Sequence, residues 1–285
     1  MISVLPGLLA AAAASLALNS SYVIQHSALA TSPAVRLGRP IATIRALLKS
    51  RRWLSGAALS YGGLALNIVA LALAPLALVQ TVIAAGLIVV ALGAARLHGG
   101  RLRPRDLAAV GLMTVAVAAL SIGPAPGLIA GPPGALRTLA FGAAAIAVSA
   151  CCVLTGSPGP SRPSRLGLAA GILYGATTLA LAVLTSAPGI ATSVAAIAVA
   201  AVTTSGGFFA FQRALQSGQP VPVVTLMTAG SNVVALTGAL MVLGERLGNT
   251  TGLAIVHGAG FALVPLAAAT AAAGLLVQPS KAARR

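Results

Sequence analysis

Nine runs of apolar residues, each long enough to cross a bilayer as a helix, follow one another along this 285-residue sequence. A membrane-spanning helix needs about 20 such residues. We predict spans near residues 3–25, 53–73, 76–96, 106–123, 136–155, 166–187, 191–213, 220–243 and 251–276. The division between the second and third runs depends on Pro75. The remaining gaps are too short for a soluble domain, so the sequence predicts an all-α membrane protein with about nine transmembrane helices.

The composition indicates a lipid environment. Hydrophobic residues make up 58% of the chain and charged residues 7%, whereas a soluble domain carries roughly 25% charged residues. The 32 glycines and 17 prolines are tolerated in membrane helices, because neighbouring helices satisfy the backbone groups that they free. Transmembrane strands would instead give alternating segments of about 10 residues. We therefore expect a multi-pass protein of the cell membrane, plasma or inner, with the lipid bilayer as a partner.

The distribution of positive charge predicts the orientation of the chain. The formal net charge is +16, and all 18 Lys and Arg residues except Arg137 and Arg246 fall on one side of the predicted helices. Cytoplasmic loops carry the Lys and Arg excess of membrane proteins, so we predict an outside N-terminus and a cytoplasmic C-terminus. Nucleic-acid binding would need these residues on one soluble face together with stacking aromatics. Aromatics are only 3% of the chain, and we expect no nucleic-acid partner.

A weak internal repeat divides the sequence into two parts. A shift of 145 residues aligns positions with special backbone or polar roles: Pro75 with Pro220, Gly93 with Gly238, Arg101 with Arg246, and Asn67 with Gln212. The second copy begins after an odd number of helices and is therefore inverted, which is the architecture of many secondary transporters. We predict a first repeat of five helices over residues 1–155, and a second of four helices with a short basic tail over 156–285. An old duplication without transport activity would leave the same pattern.

Three glycines of the predicted sixth helix, Gly167, Gly171 and Gly175, recur every four residues. Hydrophobic burial does not drive helices together in lipid, and small residues instead let two backbones approach closely. This spacing predicts a packing surface rather than a substrate site.

The scarcity of acidic residues excludes several functions. The chain has two, Asp106 and Glu245, and both fall at predicted helix ends. Asp106 would complement the dipole of the helix that it begins, and Glu245 would pair with Arg246. Neither could supply the carboxylate dyad or metal cluster of a hydrolase. We predict no enzyme activity, no metal centre and no cofactor.

Uncharged polar residues inside the spans form two stripes. In the first helix Ser15, Asn19, Tyr22 and His26 are spaced 4, 3 and 4 residues apart, which places them on one helical face. A second stripe in the eighth predicted helix consists of Thr225, Thr228 and Asn232. Each stripe predicts a polar face turned towards other helices rather than towards lipid.

Five side chains with hydrogen-bonding groups are the predicted substrate-binding residues: Asn19, Tyr22, Asn67, Gln212 and Asn232. Two histidines, His26 and His257, can titrate near neutral pH and are the candidates for proton coupling. For the amides a structural role is the alternative, since Asn and Gln also bridge helices in membranes.

Short motifs in both halves resemble one family of transporters. The first half contains Trp53-Leu54-Ser55-Gly56, Gly63 and Asn67, followed by Ala74-Pro75 and Val79. The second contains Gln212-Arg213-Ala214-Leu215, the run 221–224, and Leu243-Gly244-Glu245-Arg246-Leu247. Together they resemble the drug/metabolite transporter (EamA-type) superfamily along nearly the whole chain, and most closely its NIPA-like magnesium transporter branch.

The resemblance implies a secondary transporter that moves a small solute by alternating access. Leu64 stands where the magnesium branch has a glutamate. We therefore expect a neutral or zwitterionic organic solute, or a cation held by amide and backbone oxygens. Two alternatives stay open: a transporter of magnesium or another divalent cation, and a membrane scaffold that kept the fold without transporting. The superfamily resemblance also permits a homodimer.

Overall fold

The computed structural model describes residues 5–36, 38–73, 79, 82–83, 85–97, 104–122, 134–155, 159, 161–185, 189–244 and 250–276. Within them the regular elements are helices, in the order α1 (Leu5–Leu29), α2 (Pro40–Leu48), α3 (Arg51–Leu73), α4 (Leu87–Leu97), α5 (Pro104–Ser121), α6 (Ala135–Leu154), α7 (Arg162–Thr185), α8 (Ile190–Ser217), α9 (Pro220–Gly238) and α10 (Thr251–Leu276). A π-helical turn, Ala239–Leu243, prolongs α9. It ends at Gly244, whose φ of 69° suits a residue without a Cβ.

Six of the described helices are long and apolar enough to cross a bilayer: Leu5–Leu29, Arg51–Ala70, Ala135–Leu154, Arg162–Leu184, Ile190–Ser217 and Pro220–Leu243. A shorter apolar helix, Leu107–Ala119, lies within α5. Large aliphatic side chains cover the outside of the bundle, and Leu136, Leu154 and Ile190 are 80%, 80% and 86% exposed. In water such a surface would aggregate. The described chain is therefore an α-helical membrane protein, as predicted.

The third predicted span, 76–96, is only partly described. There the chain turns at Gly86, and α4 begins at Leu87. Several residues of the predicted repeat and motifs lie outside the described residues: Ala74, Pro75, Arg101, Glu245, Arg246 and Leu247.

Residues 26–52, which lie between the first two predicted spans, contain a helix that was not predicted from the sequence. α1 continues to Leu29, α3 begins at Arg51, and the nine-residue helix α2 lies between them. Pro40 is the first residue of α2, where its fixed φ suits a helix and its missing N–H costs no hydrogen bond.

Contacts between helix termini gather several basic segments at one end of the bundle, which we call the basic end. The loop after α1 meets the last turn of α8, where the backbone N–H of Val35 donates to Gln216 Oε1 at 2.9 Å. The start of α7 lies there too, because Pro163 packs against Gly218 in the turn between α8 and α9. α1 therefore ends where α7 begins, and the two helices run in opposite directions.

Arg137 lies towards the opposite end. It stands in the first turn of α6, whose Gly142 packs against Val199 in the first half of α8. The last turns of α6 instead meet α7 near its start, through a hydrogen bond from Ser149 Oγ to the carbonyl oxygen of Ala169 at 3.1 Å.

The predicted glycine surface is confirmed as a contact between backbones. A Cβ at Gly167 would lie 2.8 Å from the carbonyl oxygen of Val223 on α9, and a Cβ at Gly175 would lie 2.6 Å from that of Ser231. At Gly171 it would collide with the carbonyl oxygen of Met227. These glycines therefore let α7 and α9 approach more closely than any residue with a side chain would allow.

Candidate functional site

A cavity of about 60 Å³ lies between α1, α4, α5 and α9. Four of its eight wall residues are polar, and the full set is Leu18, Asn19, Tyr22, Ile83, Leu87, Val117, Thr228 and Asn232. The cavity thus brings together three of the five predicted substrate-binding residues. Pockets for drug-sized ligands measure roughly 300–1,000 Å³. In this conformation the cavity has room for a few water molecules rather than a large solute.

The two asparagines of the cavity are held in the same way. Asn19 Nδ2 donates to the carbonyl oxygen of Ser15, and Asn232 Nδ2 donates to that of Thr228, each at 2.9 Å and one turn back along its own helix. A carbonyl oxygen can only accept, so each contact fixes which side of the amide carries the nitrogen. No hydrogen bond joins either Oδ1 atom to another described residue. Both side-chain oxygens therefore remain as acceptors.

The cavity wall on the side of α4 belongs to a segment where a turn interrupts the helix at Gly86. Ser15 Oγ on α1 binds the carbonyl oxygens of Val82 at 3.1 Å and Ile83 at 3.3 Å. It thereby satisfies backbone acceptors beside the interruption. A Cβ at Gly86 would collide with Ser15 Oγ and lie 2.5 Å from Asn19 Nδ2. Non-helical backbone within a membrane protein is tolerated where it is buried in protein or lines a cavity. Gly86 is buried, and Ile83 and Leu87 on either side of it line the cavity.

Aromatic side chains lie between the cavity and the basic end. Tyr22 packs edge-on against Phe211 of α8, with ring centroids 5.3 Å apart, and Tyr174 of α7 packs against the same ring at 6.3 Å. Offset and edge-on contacts of this kind stabilise an aromatic cluster beyond the area that it buries. Three helices thus meet in one aromatic layer on the basic side of Asn19.

A polar network follows one turn further towards the basic end. The indole Nε1 of Trp53 donates to Gln212 Oε1 at 3.0 Å, and Gln212 Nε2 donates to Gln25 Oε1 at 2.8 Å. An indole N–H can only donate, so it fixes the orientation of Gln212 and the direction of both hydrogen bonds. The three side chains are 8%, 3% and 4% exposed. The network therefore joins α1, α3 and α8 away from water, where hydrogen bonds are strong and unpaired groups are costly.

Gln216 joins α8 to the end of α1 nearer the surface. Its Nε2 lies within 3.2 Å of three carbonyl oxygens, those of Leu29, Ser32 and Pro33. Its Oε1 accepts a hydrogen bond from Arg213 Nη1 at 2.7 Å. The last carbonyl groups of a helix have no partner within it. The Gln216 side chain of α8 provides a hydrogen-bond donor for the carbonyl group at the end of α1.

Replacement of Trp53 by phenylalanine is expected to lower the free energy of unfolding by about 2 kcal/mol, since it leaves Gln212 Oε1 buried without a donor. The measurement is the midpoint of the heat-induced loss of helix, followed by circular dichroism in detergent. Tyr61→Phe is the matched control, because that ring also loses its polar group but is 74% exposed. Its midpoint should equal that of the wild type. Equal midpoints for both variants would show that the network does not stabilise the fold.

The other two amides predicted to bind substrate lie outside the cavity wall. Gln212 belongs to the polar network. Asn67 stands on α3 between Gly63, which packs against Leu18 of α1, and Ala70. Its Oδ1 is buried and has no hydrogen-bond partner among the described residues. The geometry therefore separates the five predicted side chains into a cavity group of three and two others.

Both candidate histidines contact backbone carbonyl groups of other segments, one within α8 and one just beyond the end of α5. His26 Nδ1 lies 2.6 Å from the carbonyl oxygen of Leu215 at the basic end. His257, which is 6% exposed, contacts the carbonyl oxygen of Ile122 through Nε2, where α10 packs along α5. Neither belongs to the cavity wall, so any proton role would act from outside it.

Three residues of the polar contacts were not predicted from the sequence: Gln25, Trp53 and Gln216. Gln25 follows Tyr22 by three residues and lies beside the polar stripe of α1, and Gln216 follows Gln212 by one helical turn. The spacing of both residues therefore indicated that they lie near the polar faces of their helices. No feature of the sequence indicated that the indole of Trp53 makes a hydrogen bond, because tryptophan is common at a membrane boundary whether or not its N–H is bonded.

No protein-family model, curated protein or solved structure matches this chain.

Proposed function

We infer that this chain is a secondary transporter of the drug/metabolite type, which moves a small solute by alternating access. The observation that carries this proposal is the cavity lined by Asn19 and Asn232. These two side chains come from separate halves of the sequence, and each keeps an acceptor oxygen that has no hydrogen-bond partner among the described residues. A site shared by two halves can face either side of the membrane in turn when the halves rock against each other.

The proposed architecture has nine spanning helices in two inverted repeats, an outside N-terminus and a cytoplasmic C-terminus in the cell membrane. The opposite directions of α1 and α7 support an inverted arrangement. Two glycines aligned by the repeat also occupy comparable places. Gly93 packs against Val23 on α1, the first helix of its half, and Gly238 packs against Leu179 on α7. The gathering of basic segments at one end supports a cytoplasmic location for that end.

Contacts between α1 and α8 close the basic end of the bundle, and they support a conformation of the proposed transport cycle that is shut on that side. The aromatic layer, the polar network and Gln216 all join α1 to α8, and therefore one half to the other. A solute leaving towards the cytoplasm would have to pass between these two helices. In this proposal the conformation is the one in which the cytoplasmic path is shut.

The cavity chemistry favours a small organic solute that donates hydrogen bonds. Its two fixed amide oxygens accept, and the hydroxyl groups of Tyr22 and Thr228 can accept or donate. Its other four wall residues are aliphatic. A neutral or zwitterionic molecule with an N–H or O–H group beside an apolar part fits this lining.

Transport of magnesium is the second candidate, favoured by the same amide oxygens, since this ion prefers oxygen ligands. In the described part of the chain no three His, Cys, Asp or Glu side chains come together, so the ion would be held by neutral oxygens. Leu64, at the position of the glutamate in the magnesium branch, is 48% exposed and does not line the cavity. The organic solute is therefore preferred.

The test uses purified protein in proteoliposomes, with protein-free liposomes as the control. Magnesium entry is measured under an imposed membrane potential. In parallel, neutral and zwitterionic solutes are screened for a rise in the unfolding midpoint, and those that stabilise the protein are tested for saturable uptake. We expect saturable uptake of an organic solute and no magnesium entry. Magnesium entry alone would favour the second candidate, and a folded protein with neither response would be a scaffold.

A further inference from the structure

We propose that α2 lies in the membrane interface and binds the headgroups of anionic phospholipids at the basic end. The proposal concerns the surface of α2 and does not depend on transport. Its starting point is the position of α2 in the chain, between α1 and α3, which are both long and apolar enough to span a bilayer. A helix of nine residues is too short to cross, since it rises only about 1.5 Å per residue. It is therefore held at the membrane surface on the side where α1 ends.

One side of α2 is fixed against the bundle. Leu47 is 1% exposed and belongs to the same buried cluster as Leu29 and Trp53. Thr43 Oγ1 donates a hydrogen bond to the carbonyl oxygen of Arg36 and accepts one from the backbone N–H of Arg36, both at 3.2 Å. These contacts fix the rotation of α2 about its own axis and thus determine which residues face outwards.

The outward side of α2 combines aliphatic and basic residues. Ile41, Ile44 and Leu48 are 75%, 43% and 53% exposed, and their spacing of three and four residues places them on one face. Arg45 and Lys49 border this face. Together these five residues line a surface groove of about 430 Å³. An aliphatic floor beside a basic rim is the pattern of helices that bury one face at the boundary between headgroups and acyl chains.

Charge complementarity identifies the occupant. Residues 36–52 contain Arg36, Arg39, Arg45, Lys49, Arg51 and Arg52 and not one acidic residue. All six are exposed. The chain has only two acids in total, so the protein itself cannot neutralise this cluster. In the proposed orientation the basic end faces the cytoplasm. The cytoplasmic leaflet carries anionic lipids that attract basic segments next to membrane helices. A phospholipid with a net negative headgroup can place its phosphate beside Arg45 and Lys49 and an acyl chain against Ile41 and Ile44.

The experiment counts phospholipids that stay bound to the full-length protein by native mass spectrometry, with phosphatidylglycerol and phosphatidylcholine titrated separately. The double variant Arg45→Gln, Lys49→Gln removes two charges from the rim. We expect its apparent affinity for phosphatidylglycerol to fall roughly 30-fold, from the usual contribution of two basic residues near an anionic surface. Its affinity for phosphatidylcholine should be unchanged.

The matched control is Arg137→Gln, Arg162→Gln, which removes two exposed charges outside the groove. Its affinity for phosphatidylglycerol should equal that of the wild type. An equal fall in both double variants would overturn the proposal, because the effect would then come from total charge. Equal affinity of the wild type for the two lipids would also overturn it. Since all four positions are exposed, both variants should fold, and circular dichroism checks that they do.

Discussion

Replacement of Gly171 by alanine is expected to lower the free energy of unfolding by on the order of 3 kcal/mol, the upper part of the range for overpacked cores. The added methyl group would collide with the carbonyl oxygen of Met227 and lie 2.9 Å from its carbonyl carbon and its Cα. All three atoms belong to the backbone of α9, so no side-chain rotation relieves the clash. α7 and α9 would have to separate along the whole glycine surface. The measurement is the unfolding midpoint in detergent, supported by the fraction that stays monodisperse after heating.

Gly111→Ala is the matched control for this prediction. Gly111 also lies within a helix, but a Cβ there would meet nothing within 4 Å. Alanine has the higher helix propensity, so this variant should be as stable as the wild type or more stable by roughly 0.5–1 kcal/mol. A Gly171→Ala protein that melts at the same temperature as Gly111→Ala would show that α7 and α9 are not in backbone contact.

If the proposed transport is correct, the double variant Asn19→Leu, Asn232→Leu lowers the affinity for the solute on the order of 100-fold. Leucine keeps the branching and the number of side-chain heavy atoms of asparagine but removes the amide oxygens that have no partner among the described residues. Each hydrogen bond lost to the ligand weakens binding by about 1.5 kcal/mol. The measurement is uptake into proteoliposomes as a function of solute concentration. The stabilisation of the purified protein by the same solute should decrease in parallel.

Asn67→Leu separates this effect from the general loss of an amide in a membrane helix. Asn67 does not line the cavity, and its Oδ1 is already without a partner among the described residues. The affinity of the Asn67→Leu variant for the solute should stay within a few fold of that of the wild type. If Asn67→Leu abolished binding while the double variant did not, the site would lie at the contact of α1 with α3 instead of in the cavity.

The helices could be predicted from the sequence because in lipid the length of an apolar run decides most of the outcome. A chain segment that cannot bond to water must satisfy its own backbone, and a helix does so. α2 was not predicted because it is too short to span the bilayer and is flanked on both sides by basic residues. The signal was nevertheless present in Ile41, Ile44 and Leu48, spaced three and four residues apart behind Pro40.

The residues of the candidate site could be predicted only where one helix alone determined the geometry. Asn19 and Tyr22 share a face of α1, and both reach the cavity as that periodicity predicts. Gln212 and Asn67 do not line the cavity, because the position of each depends on how neighbouring helices pack. Gly56 leaves room for Gln25, whose Cγ would be 2.8 Å from a Cβ at that position, and this brings Gln25 within reach of Gln212. Periodicity in one helix carries no information about which neighbour each face will meet.

The position of Trp53 has a consequence for optical measurements. It is the only tryptophan of the chain, and its indole is buried at the basic end with its N–H bonded to Gln212. Separation of α8 from α1 and α3 would break that bond and admit water, so the emission of the indole would shift to longer wavelengths. The unlabelled protein therefore carries its own fluorophore at the contact proposed to open. Rapid mixing with a solute would report the rate of that opening without any engineered dye.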